Sequence, residues 1–193
     1  GGNDTMDTIN RVEQYCKNEG YDLIGVGIPK TVDNDLFGTD HTPGFASAAR
    51  SNILNVKQAG MLARDMKKVD QFVVYQTIGR DSGWLGAATA MAKKNDDDAP
   101  HLIYCPEFDF DKISFLEDVE KAYKKYGWVS VVCGEGLKYA NGSAVSASET
   151  RDKFNNTEFG AMGGASVGLN LHRFITENFG FRGEFQITES LIM

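Results

Sequence analysis

Short apolar runs rich in Val, Ile and aromatic residues alternate with longer amphipathic stretches along this chain, and that alternation limits the fold more than any other feature. Residues 23–28, 72–76, 101–105 and 128–133 read as strands, with a weaker strand at 185–188. Residues 5–17, 45–66, 85–94, 114–126 and 159–178 read as helices. Parallel strands need crossover connections, and helices that make those crossovers cover the faces of the sheet. The expectation is therefore an α/β fold with a mostly parallel sheet covered on both faces.

The composition is consistent with such a core. Of 193 residues, 41% are hydrophobic, 24% are charged and only 4 are proline, which points to one globular domain or a little more. The apolar runs fall far short of the ~20 residues of a membrane helix, and no basic-then-apolar segment opens the sequence. The three cysteines, Cys16, Cys105 and Cys133, are odd in number and lack Cys-x-x-Cys spacing. Neither a disulfide framework nor a zinc site is expected, and the cytoplasm is the expected location. A formal charge of −7 argues against nucleic acid, which needs a basic stripe. An anionic ligand would have to find its counter-charges locally.

The unusual residues gather where the expected strands end. Asp33, Asn34 and Asp35 follow the first with Lys30 and Thr31; Gly79, Arg80 and Asp81 follow the second; Pro106 and Glu107 follow the third; Gly134, Glu135 and Gly136 follow the fourth. Ligands of open parallel sheets bind outside the carboxyl ends of the strands, so these loops are expected to face one crevice. Two carboxylates with a lysine suit phosphoryl transfer, where positioning and charge neutralisation dominate, and equally suit metal-assisted hydrolysis. Gly1 and Gly2 precede Asn3, Asp4 and Thr5, all good helix caps, so a glycine loop enters a helix there. Backbone N–H groups at such a helix start can bind phosphate. No strand precedes this loop, which makes a fragment starting inside a domain the expectation. The glycines of 160–168 follow a polar stretch and read as helix-packing residues rather than a dinucleotide loop. The acidic run 95–98 reads as a solvated loop.

Together these motifs resemble the phosphofructokinase family, and more closely its pyrophosphate-dependent branch. GGNDT at 1–5 is similar to the family's donor-phosphate loop, PKTVDND at 29–35 to its catalytic loop, IGRDSGW at 78–84 to its MGR segment, and CPE at 105–107 to its substrate-binding PE. EFGAMGGASVG at 158–168 is similar to a glycine-rich stretch of the same branch. The resemblance implies a doubly wound Rossmann-like sheet, truncated at the N-terminus and also at the C-terminus. Residues 1–30 would be a remnant of the phosphoryl-donor domain leading into the catalytic loop, and 31–193 the sugar-phosphate-binding domain. It implies transfer of a phosphoryl group from pyrophosphate to the 1-hydroxyl of fructose 6-phosphate, in a homo-oligomer when full length. An ATP-dependent kinase and a non-catalytic regulatory or binding subunit of the same fold are the alternatives.

By the same resemblance Asp33 is the general base, with Lys30, Asp4 and Arg80 as its catalytic companions. Thr31, Val32, Asp33, Asp35, Ile78, Gly79, Arg80 and Glu107 bind the sugar substrate. Gly1, Gly2, Asp4 and Lys30 hold the donor phosphate, and Asn3 and Asp35 attend Mg2+. ATP-using bacterial members carry Gly at the positions of Asp4 and Lys30. A carboxylate at position 4 would face the α-phosphate of a nucleotide, and like charges ~4 Å apart cost about 4 kcal/mol at an effective dielectric of 20. The chain departs from the family at Asn3, where Asp is usual, and at Gln71, where ATP-using bacterial members carry an arginine. Arg182 is the candidate for the sugar's 6-phosphate.

Overall fold

The computed structural model describes residues 1–146 and 166–187. Four parallel strands form one sheet: β1 (Phe72–Thr77), β2 (Leu102–Tyr104), β3 (Val129–Gly134) and β4 (Gly183–Ile187), in the order β2-β3-β1-β4. Phe72 is in register with Val129 on one side and Gly183 on the other. Both central strands are buried along their whole length, which explains why they read as continuous apolar runs rather than alternating ones.

The two faces of the sheet are packed by different helices. Phe72, Val74, Val129, Val131 and Cys133 meet Phe115 and Val119 of α4 (Lys112–Tyr126) and Leu171 and Ile175 of α5 (Val167–Phe179). The intervening residues Val73, Tyr75 and Val132 meet Val56, Ala59 and Ala63 of α2 (Phe45–Met66). Fully burying a Val, Leu or Phe side chain contributes about 1.5–3 kcal/mol, so these layers dominate the stability of the fold. Asp111 caps α4 by accepting from Ser114 N at 2.7 Å, and Ser166 caps α5 by accepting from Leu169 N at 3.2 Å. Gly127 and Gly180 end these helices in the left-handed conformation.

Two expectations change, and a third lies partly outside the described residues. Residues 23–28 are extended, but no described strand runs alongside them. Ile24, Val26 and Ile28 are 73–79% exposed. The other side of the run is glycine packed on α1 (Asn3–Asn18): a Cβ on Gly25 would lie 2.6 Å from Ile9, and one on Gly27 2.5 Å from Met6. The period-two pattern is therefore present without the ladder that makes a strand. The helix expected at 85–94 is a short α3 (Trp84–Ala88) and then a 3₁₀ turn (Thr89–Ala92), where the buried Thr89 hydroxyl bonds back to Gly86 O at 2.6 Å. The helix expected from 159 is described only from Val167, since 147–165 lie outside the described residues, as do the glycines before 166. The acidic run is a turn in which Asp98 accepts from the N–H groups of Lys94 and Asn95. Among the described residues no helix is long and apolar enough to cross a membrane.

The topology places a crevice. β1 and β3 are neighbours, yet the chain leaving β1 enters α3 on the α2 face, while the chain leaving β3 leads to α5 on the opposite face. Connections that part in this way open a gap at the carboxyl ends of the two strands.

Candidate active site at the carboxyl ends of β1 and β3

The loops after β1 and β3 are locked to each other first. Glu135 N donates to Thr77 O at 3.1 Å, and Gly79 N donates to Glu135 Oε1 at 3.1 Å. Gly79 has a φ of +119°, which a side chain would strain, and its missing Cβ leaves room for Ser82 O. Gly136 is required for a different reason: a Cβ there would lie 1.6 Å from Arg80 O. The backbone carrying Arg80 therefore runs in contact with the loop after β3.

Residues 29–44 fold over this platform. Asn34 is buried with a φ of +56°, a conformation that Asn tolerates better than most residues. Its side chain accepts from Thr42 N at 2.9 Å and donates to Asp40 O at 3.1 Å. This closed turn leaves Asp33 and Asp35 flanking a fixed point. Ser82 Oγ donates to Asp33 O at 2.8 Å, and Asp33 N donates to Thr31 Oγ1 at 3.2 Å. The start of α1 is attached in turn: Asn3 Nδ2 donates to Asp35 Oδ2 at 2.7 Å, Gly1 N donates to Ile28 O at 2.7 Å, and Lys30 N donates to Gly1 O at 3.0 Å.

The result is an open cleft of about 560 Å³ lined by Gly2, Asn3, Asp4, Thr5, Thr31, Asp33, Asp35, Arg80, Asp81 and Lys138. The structure thus brings together Gly2, Asn3, Asp4, Thr31, Asp33, Asp35 and Arg80 from the expected site. The first intrahelical N–H of α1 belongs to Met6, bonded to Gly2 O at 3.1 Å, so the N–H groups of residues 3–5 stand free of the helix ladder at the cleft wall.

Other expected residues sit elsewhere. Gly1, Lys30 and Gly79 do not line the cleft, although the Lys30 charge reaches Asp33. Val32 and Ile78 pack against Phe45, Ala48, Ala49 and Leu85 and do not line the cleft. Glu107 faces an adjoining recess with Asp35, Asp81 and Trp84, and accepts from Gly83 N at 2.6 Å. Arg182 lies at the amino end of β4, its N–H bonded to Gln71 Oε1 and its guanidinium 3.7 Å from Asp70. That is the opposite end of the sheet from the cleft, because the strands are parallel, so Arg182 is not a ligand there.

Asp33 is half-buried, and its carboxyl is held above the usual carboxylate range. Burial is the main cause, the Asp35 charge adds to it, and Arg80 and Lys30 oppose it. A general base gains from this direction of shift, since it brings proton affinity closer to that of the operating pH.

No cluster of three or more His, Cys, Asp or Glu side chains is arranged around a metal position among the described residues. Asp35 Oδ1 is nevertheless buried without a hydrogen-bond partner, beside Oδ2, which takes the Asn3 amide. Mg2+ commonly uses one or two carboxylates and completes its shell with substrate phosphate and water, so Asp35 fits such an ion with Asn3 as its neighbour.

Glu135 and Lys138 have no assigned role in the sequence reading. Glu135 stood out only as a charge between two glycines at a strand end. Lys138 lies three residues beyond it with no motif to mark it.

The family profile described as Phosphofructokinase matches residues 1–182. The chain belongs to the phosphofructokinase family. It is 40% identical over 164 residues to the pyrophosphate–fructose 6-phosphate 1-phosphotransferase of Xanthomonas campestris, covering 84% of this chain and 39% of that one. A crystal structure of the pyrophosphate-dependent phosphofructokinase of Nitrosospira multiformis superposes with a TM-score of 0.78 at 30% identity, covering all of this chain and 44% of the other. The ATP-dependent 6-phosphofructokinase 2 of Streptomyces coelicolor aligns over a shorter stretch, 141 residues at 32% identity, or 72% of this chain and 39% of that protein. The chain thus spans less than half the length of these phosphofructokinase relatives.

Proposed function

We propose that the complete protein moves a phosphoryl group from pyrophosphate to the 1-hydroxyl of fructose 6-phosphate. The observation that carries this reading is one cleft shared by a half-buried base, Asp33, the guanidinium of Arg80 and the free N–H groups at the start of α1. Asp33 accepts the hydroxyl proton as the hydroxyl oxygen bonds to phosphorus; the bond to the departing phosphate breaks and that phosphate keeps the electron pair. Arg80 offers a planar fork of donors to the charge spread over the phosphoryl oxygens. The amides of residues 3–5 face the donor end, aided by the α1 dipole. Mg2+, held through Asp35, would neutralise charge on the phosphate oxygens.

The preference for pyrophosphate rests on Asp4, which lines the cleft at the start of α1, and on the pyrophosphate-dependent relatives. A non-catalytic phosphosugar-binding subunit is the second reading. It is favoured by Asn3, which brings an amide rather than a charge to Asp35.

Coupled assays with each donor decide between these. Turnover with pyrophosphate should exceed that with ATP, and the reverse would overturn the donor assignment. Asp33→Asn should lower kcat by about 10²–10⁴ while fructose 6-phosphate still binds. Undiminished turnover would leave Asp33 no role as the base.

A further inference from the structure

The side chains that line the cleft carry a net negative charge, so an anionic phosphate ligand needs every cation the wall supplies. The wall holds four carboxylates, Asp4, Asp33, Asp35 and Asp81, against two cations, Arg80 and Lys138, among the described residues. Pyrophosphate and a phosphorylated sugar each add negative charge of their own. Lys30, the lysine singled out from the sequence, is not on the wall.

Lys138 stands on a backbone fixed by pairing. Its carbonyl accepts from Phe110 N at 2.8 Å, it forms an antiparallel bridge with Ala144, and the hairpin closes through Tyr139 N to Ser143 O at 2.9 Å. The neighbouring Leu137 is 1% exposed and accepts from Val145 N at 2.9 Å. From this fixed base the ammonium reaches Asp81 Oδ1 at 2.6 Å. The two side chains are 43% and 74% exposed, and a pair so open to water adds little to stability. An ammonium has three donors, so the bond to Asp81 leaves others for a ligand.

We infer that Lys138 binds a phosphate group in this cleft, with Asp81 as a neighbouring ion-pair partner that the binding does not require. The role depends on the cleft being a site of phosphoryl transfer. The shared chemistry is a phosphate oxygen, supplied either by pyrophosphate or by the ester of fructose 6-phosphate.

Titration calorimetry with pyrophosphate and with fructose 6-phosphate in separate runs tests this on the native protein and on Lys138→Met, Lys138→Arg and Asp81→Asn. A charge-assisted hydrogen bond is worth roughly tenfold or more in affinity. Lys138→Met should weaken one of the two probes by about that factor, and the probe affected names the source of the phosphate. Lys138→Arg and Asp81→Asn should stay within about threefold of native, because both keep a cation at the wall. Unchanged affinity for both probes in Lys138→Met overturns the assignment. So does an equal loss in Asp81→Asn, which would make the pair a brace between loops. If the native protein binds neither probe, the phosphoryl-transfer reading fails, and the role of Lys138 with it.

Discussion

Gly79 N donates to Glu135 Oε1 across 3.1 Å, a buried hydrogen bond that joins the loop after β1 to the loop after β3 beside the one from Glu135 N to Thr77 O. Arg80 follows Gly79, and Gly136, which must be glycine to clear Arg80 O, follows Glu135. Removing the acceptor leaves a buried N–H unpaired, at a cost of about 1–3 kcal/mol. In a chain of this size that corresponds to roughly 3–10 °C in Tm. Glu135→Ala should show that loss by thermal unfolding, whereas Glu135→Gln, which retains an oxygen for Gly79, should lose less than half as much. Equal losses would show that this bond is not what Glu135 contributes.

The direction of the Asp33 shift leads to a pH prediction. The proposed base Asp33 would work only when deprotonated, and on that reading kcat/KM should fall as pH drops through its raised pKa. Removing the Lys30 charge, which lowers that pKa, should move the acid limb to higher pH. Replacing Asp35 with Asn removes a charge that raises it and should move the limb to lower pH. Profiles of Lys30→Met and Asp35→Asn measured beside the native enzyme check both signs. A limb that moves in neither variant belongs to another group.

Away from the cleft, His101 sets an acid limit on stability. Its ring stacks on Tyr126 at 4.4 Å and meets the edge of Trp128, and its Nδ1 accepts from Ser130 N at 3.0 Å. Burial is the main cause that brings its pKa from 6.5 down to about 4. Above pH 6.5 the ring is neutral whether the chain is folded or not, and no stability depends on it. Between pH 6.5 and about 4 the unfolded chain takes up a proton that the folded one refuses, so stability falls as pH falls. Allowing for the exposed part of the ring, the loss is about 1–3 kcal/mol. His101→Asn keeps an acceptor for Ser130 and has nothing to titrate, so its urea midpoint should fall less steeply over that window. Identical slopes for variant and native protein would exclude His101 as the cause.

The parts of the fold legible in the sequence are those in which local pattern and tertiary environment agree. β1 and β3 are apolar throughout because both faces are covered. Residues 23–28 misled because period two reports which way side chains point, not whether a neighbouring strand is present. The cleft was legible in part through the PKTVDND and IGR loops. The left-handed Asn34 that sets the spacing of Asp33 and Asp35 carries no signal beyond being Asn. Lys138 was invisible because its place depends on a hairpin pairing with Ala144 and on a carboxylate 57 residues away in sequence. Arg182 was misplaced because letters do not say at which end of a sheet a residue falls.

The donor preference attached to Asp4 can be sharpened by its position. At a separation of ~4 Å and an effective dielectric of 20 the repulsion of a nucleotide phosphate is about 4 kcal/mol, or roughly a thousandfold. Asp4 is exposed on the first turn of α1, where water screens it and the positive end of the helix dipole partly offsets its charge. At the dielectric of water the same pair repels by about 1 kcal/mol, or roughly fivefold. Asp4→Gly in the full-length enzyme should therefore improve kcat/KM for ATP relative to pyrophosphate by a factor nearer five than a thousand. The gain should shrink as salt is added, because an exposed charge pair is screened over about 10 Å at 0.1 M. Initial rates with both donors at low and high ionic strength measure it. A gain that ignores salt would point to the volume of the side chain rather than its charge.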